Sequence, residues 1–214
     1  LKMQIRQEYY RVKELLDGKR PSRMELFTYM DDDIYRICVS GSHAKENPFQ
    51  HYLDFLYELG ELSEDEQELY AGIGREFIQT IETTEMQKVY KMPILYSFYN
   101  HGNIRLAVTD EEVLESWKEF FDTGTNWKDF PNVNTYEDYK KVTDKQHLSK
   151  AKRMPITRLK MSGKGFFVEK DGYALALRDE IGEIVGNMAF GEQMGDVLGY
   201  RSLEYYRRRY EKKN

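Results

Sequence analysis

The stretch Lys140–Leu177, KKVTDKQHLSKAKRMPITRLKMSGKGFFVEKDGYALAL, decides how this chain is read. Its first part, Lys140 to Lys164, sets nine Lys and Arg residues against one acid, Asp144, a local charge of +8. The whole chain carries −5, so the remaining residues sum to −13. Asp144 is placed to cap a helix running from Lys145 to about Met154. Pro155, which has no N–H and whose ring collides with the preceding turn, is expected to end it. Gly163-Lys164-Gly165 then frees the backbone before a β-hairpin, Phe166 to Leu177. Asp171-Gly172 is a favoured two-residue hairpin turn. In that register Lys170 faces Tyr173, Val168 faces Leu175 and Phe166 faces Leu177. Phe167, Glu169, Ala174 and Ala176 take the other face.

Working outward, Met92–Tyr99 is a short, almost wholly apolar helix and is expected to be buried. Asn100-His101-Gly102-Asn103 reads as a turn, and Ile104 to Val108 as a short strand. Thr109 with Glu112 forms a capping box. It opens a helix that turns Val113, Leu114, Trp117, Phe120 and Phe121 inward. A loop from Thr123 to Pro131 precedes a helical stretch, Tyr136 to Val142. From 92 to 177 the order is therefore helix, strand, helix, helix, strand, strand. That is the order of a winged helix-turn-helix, lengthened here by the loop from Thr123. In such folds the third helix enters the major groove and the hairpin touches the DNA backbone. The third helix here is the most basic of the chain.

The first 90 residues read as helical. Ile5, Tyr9, Val12, Leu15 and Leu16 recur at helical spacing over 2–17, and Gly18 stands where a left-handed cap is wanted. Ser22 with Glu25 is a capping box for a second helix, giving a helix-turn-helix-like start. Asn47-Pro48 opens a helix that Gly60 stops. Ser63 with Glu66 starts a long helix to about 84, in which Gly72 and Gly74 each cost about 1 kcal/mol relative to Ala and permit close packing or a bend. Helical segments from Glu183 finish the chain, the last being Ser202 to Lys213. The expected fold is mainly α with a small β component, in three regions: 1–90, 91–180 and 181–214.

Chemistry is sparse. Lone Cys38 rules out an internal disulfide framework and any Cys-rich zinc module; it reads as a small core residue. His43, His51, His101 and His147 lack metal-ligand spacing. No phosphate-binding GxxxxGK[ST] loop, no Gly-x-Ser-x-Gly elbow and no His-Glu-x-x-His helix occurs. Neither a catalytic residue nor a cofactor is therefore assigned. Asp31-Asp32-Asp33 reads as a helix terminus with a cap, or as a Mg²⁺ site of a nuclease. Arg207-Arg208-Arg209 beside Tyr205, Tyr206 and Tyr210, with Lys212 and Lys213, reads either as a plain amphipathic helix end or as a stacking, phosphate-neutralising patch. No apolar run approaches the roughly 18 residues of a membrane span, and a reducing, cytoplasmic location is the default expectation. The start, Leu1-Lys2-Met3, fits either a trimmed terminus or a fragment of a larger polypeptide.

Three blocks carry a family resemblance. They are Tyr10–Leu16 leading to Arg20–Phe27, with Tyr52–Leu56; Thr83–Leu95; and Met154-Pro155-Ile156 followed by Phe166-Phe167 and the hairpin. Together they resemble the accessory region that follows the motor domains of some bacterial superfamily 2 (DEAD/DEAH-type, restriction-related) helicases. The resemblance implies a fragment whose ATP site lies upstream, and it supplies no catalytic residue. The expected function is a non-catalytic domain that engages nucleic acid, DNA in preference to RNA. Lys145, Lys150, Lys152, Arg153 and Lys164 would contact phosphate, supported by Arg158 and Lys160. Gln146 and Ser149 would reach base edges. The alternative is a protein-interaction or autoregulatory module docking on the motor domains or on a partner.

Overall fold

The computed structural model describes residues 1–211. The chain divides into two compact units: residues 1–83 with 187–200, and residues 84–186 with those from 201 onward. Of the described residues after 180, 181–186 and 201–211 belong to the second unit and 187–200 to the first.

In the first unit, α1 (Lys2–Leu15) is capped by Leu16, and the chain turns away through two left-handed residues, Asp17 (φ +57°) and Gly18 (φ +83°). Ser22 and Glu25 close a full capping box on α2 (Arg23–Tyr29). Asp31 caps α3 (Asp32–Cys38) by accepting from the backbone of Asp33 and Ile34, which is the cap reading of the acidic triplet. Two 3₁₀ turns, Gly41–His43 and Pro48–Gln50, precede α4 (Tyr52–Glu58), so the helix expected from Pro48 begins at Tyr52. The long helix expected from Ser63 is broken: α5 (Glu64–Ala71) stops at Gly72, which is extended, and α6 (Ile73–Thr83) begins afresh. Ile5, Tyr9, Val12, Leu26, Cys38, Tyr52 and Leu56 form the core with Tyr200.

This core also encloses charge. Arg23 is fully buried, and its guanidinium donates to Glu82 at 3.0 Å, Gln193 at 2.8 Å and Asp196 at 3.0 Å. Gln193 in turn donates to Glu66 at 2.6 Å, and Glu66 receives Arg20 through both terminal nitrogens. Burial pushes the Glu82 carboxyl upward, against the pull of Arg23. For Glu66, burial is outweighed by the hydrogen bonds of Arg20 and Ser63, so its carboxyl lies below the usual range.

The second unit begins with α7 (Lys91–Tyr99), buried along nearly its whole length. Next come β1 (Ala107–Val108), α8 (Asp110–Asp122), whose capping box joins Thr109 and Glu112, and α9 (Tyr136–Lys140). The basic helix comprises α10 (Asp144–Ala151), a wide π turn (Lys152–Ile156) and α11 (Thr157–Ser162). Pro155 therefore does not end it. The wider turn accommodates the missing N–H and the ring, and the helix runs on to Ser162. The cap also differs: Thr143 and Gln146 make the box, and Asp144 is the first helical residue.

Strands β2 (Phe167–Val168) and β3 (Leu175–Leu177) are antiparallel, and β1 joins the other edge of β3 in the order β1-β3-β2. Phe167 pairs with Leu177 and Val168 with Ala176, one residue away from the expected register. Only Gly172 has positive φ, so Asp171-Gly172 is not the two-residue turn that needs it at both positions. Leu175, Ala176 and Leu177 are all buried, and without a solvent face no alternation fixes the register. The core of this unit is aromatic, with Trp117 packed on Phe121 and Phe98 on Phe167. Finally α12 (Met188–Tyr206) is one helix, continued by a π turn, Arg207–Glu211. The expected basic positions Lys212 and Lys213 lie outside the described residues.

Candidate nucleic-acid interface

The basic helix is held from beneath. His147 and Ala151 of α10 and Leu159 of α11 are buried, and His147 packs on Phe130 and Tyr139 with centroids 5.0 and 5.7 Å away. Burial, reinforced by Lys118, depresses the His147 pKa, so its imidazole belongs to the core rather than to the cationic surface. The opposite face carries Lys145, Ser149, Lys152 and Arg153, all exposed. Residues three and four apart on a helix share a face, so these four form one strip.

Charge pairing thins that strip. Lys152 Nζ sits 3.0 Å from Asp110, and Lys160 Nζ is 2.9 Å from Glu169. Upstream, Lys140 is 3.2 Å from Glu137. Two of the nine expected site residues are therefore already neutralised. A third, Gln146, spends its Oε1 on the Thr143 backbone at 2.9 Å, leaving only its amide nitrogen for other contacts. Among the described residues, Lys145, Lys150, Arg153, Arg158 and Lys164 have no carboxylate within ion-pair distance. The one acid of the stretch, Asp144, is removed from competition because Lys118 holds it at 2.8 Å and keeps its carboxyl below the usual range.

Lys164 is set by the joint between helix and hairpin. Lys164 and Gly165 both have positive φ, +52° and +77°, so the chain reverses there with Lys164 exposed. Gly163 is required by close packing: a Cβ would strike the Phe167 ring and lie 2.5 Å from the Leu159 carbonyl oxygen. Arg158 sits elsewhere on the helix. It faces a groove of about 480 Å³ between residues 85–91 and α11, together with Met154 and Met161. Met161 lies beyond the point where the helix was expected to stop, at Pro155.

The second basic cluster is consumed internally. Arg209 lies 3.1 Å from Asp129, Arg208 pairs with Glu204 at 2.9 Å, and Arg207 with Glu211 at 3.8 Å. The hydroxyls of Tyr205 and Tyr210 both donate to Asp129, each at 2.8 Å. These contacts hold the last described turn, Arg207–Glu211, against Asp129 and the preceding helix. The turn at Asn100-His101 is made of two consecutive left-handed residues, and His101 contacts Glu119 at 3.3 Å. Among the described residues no group of three or more His, Cys, Asp or Glu side chains could hold a metal ion. No described helix is long and apolar enough to cross a membrane.

Compared with protein-family models, curated proteins and solved structures, the chain matches none of them.

Proposed function

We propose that the second unit engages nucleic acid through the outer face of its basic helix, with Lys145, Lys150, Arg153 and Lys164 on phosphates and Ser149 within reach of a base edge. The observation that carries this reading is a set of cations without an ion pair along this segment, Lys145 and Arg153 on the exposed strip, half-buried Lys150 beside it and Lys164 at the joint to the hairpin, in a chain whose total charge is −5. The order α7, β1, α8, α9, α10–α11, β2, β3 supports it, since with the short α9 set aside it is the order of a winged helix-turn-helix, whose third helix docks in the major groove. The edge pairing of β1 with β3 fits the same arrangement. Lys152 and Lys160 contribute only if nucleic acid displaces Asp110 and Glu169. Attachment to upstream helicase motor domains is part of the proposal and rests on the sequence resemblance alone.

The test is fluorescence anisotropy with a labelled duplex and a labelled single strand across a salt series. Four phosphate contacts give a log–log salt slope of about −3.6 on duplex. Lys150→Glu/Arg153→Glu should flatten that slope by about 2. A folded double variant that binds duplex as well as the natural chain would sink the proposal, as would absence of binding at low salt.

A further inference from the structure

We infer that the groove between residues 85–91 and α11 is a docking site for an acidic, amphipathic peptide segment of a protein partner. This inference stands apart from the nucleic-acid reading and uses a different side of the same helix. At about 480 Å³ the groove is within the size range of ligand sites. Its apolar lining is Met86, Met154, Met161 and Pro155. Met154 is 48 % and Met161 82 % exposed, a large apolar area left open to water. Methionine side chains are flexible and polarisable, and they repack around apolar partners of varied shape.

The charge of the groove selects the partner. Lys88, Lys91 and Arg158 line it, against a single carboxylate, Glu85. Lys91 is only 6 % exposed, and its ammonium donates to Thr84 Oγ1 at 2.9 Å and to the Glu85 carbonyl at 2.5 Å, both neutral oxygens. No carboxylate lies within ion-pair distance of it among the described residues. Burial, with Arg201 and Arg158 nearby, pushes its pKa down. A buried charge without a counter-ion is costly, and an arriving carboxylate relieves that cost. A nucleic-acid strand fits less well, because single strands are gripped by bases stacking on open aromatic faces. The one aromatic ring among the described lining residues, Tyr90, is packed on Trp117 and Phe121 and donates its hydroxyl to the Asp129 carbonyl.

The experiment selects a random 12-residue phage-displayed peptide library on the whole chain, with counter-selection on the Met154→Gln/Met161→Gln variant. The enriched peptide is then titrated into protein labelled with ¹³C at the methionine methyls. Expected sequences combine Asp or Glu with Leu, Ile, Phe or Met. The Met86, Met154 and Met161 methyl signals should shift, and affinity should fall at least tenfold in both Arg158→Glu and the double Gln variant. Three results would overturn the inference: no groove-dependent peptide enriched, enrichment of basic or charge-free sequences, or methyl shifts confined to other methionines. So would a single-stranded oligonucleotide that shifts the same three methyls and displaces the peptide.

Discussion

Replacing Arg23 by Met keeps most of the side-chain volume and deletes one charge from the interior of the first unit. Glu82, whose side chain is 2 % exposed, then loses its ion-pair partner, while Asp196, at 14 %, keeps some access to water. Gln193 Oε1 also loses its donor, since that bond comes from Arg23. Removing one member of a buried ionic network costs about 3–5 kcal/mol. For a chain of this size that lowers the melting temperature by about 6–20 °C. The pH dependence identifies the cause. Burial already raises the Glu82 pKa in the presence of Arg23, and without Arg23 it rises further. The folded state then binds more protons than the unfolded state over that interval, so stability falls as pH rises through the raised value. Thermal unfolding followed by circular dichroism should therefore show the largest deficit near neutral pH and a smaller one toward about pH 5. Adding Glu82→Gln should recover part of the loss at neutral pH, and the double-mutant cycle measures the coupling. A deficit under about 1 kcal/mol, or one that does not change with pH, would refute the idea that an unpaired Glu82 is the source.

Three further outcomes follow from the second unit. Gly163→Ala drives a methyl group into Phe167 and the Leu159 carbonyl. Overpacking of this kind costs about 1–3 kcal/mol, to be read from urea midpoints, whereas Gly172→Ala meets no neighbouring atom and strains only the left-handed backbone of its turn. His147 has a depressed pKa and is buried, so the unfolded chain binds its proton first. Stability should rise with pH from the depressed value up to the ordinary 6.5, and His147→Phe should remove that part of the slope in pH-dependent melts. Asp129→Ala strips the anchor from Tyr205, Tyr210 and Arg209 and should cost about 3 kcal/mol, since hydrogen bonds to a charged group are the stronger kind. A urea midpoint equal to that of the natural chain would show that this anchor is idle.

Residues close in sequence determined much of this protein without help from the rest of the chain. The capping boxes at Ser22, Ser63 and Thr109, the left-handed stop at Gly18 and the apolar run of α7 are all legible, because each depends on hydrogen bonds or packing within one or two turns. The mainly helical class with a small β component follows from the same local signals. Tertiary structure decided what those signals leave open. Pro155 is carried through a π turn because Ile156 and Leu159 gain burial on the far side of it. The hairpin register moved by one because β3 is covered on both faces and alternation no longer marks a solvent side. Arg23 reads as an ordinary first-turn cation until Glu82 and Asp196, 59 and 173 residues away, close around it. Whether a lysine of the basic strip stays open depended on Asp110 and Glu169, which no spacing rule connects to Lys152 and Lys160. Local sequence fixes the backbone's own hydrogen bonds, while pairing of charges and burial of side chains arise only when distant segments meet.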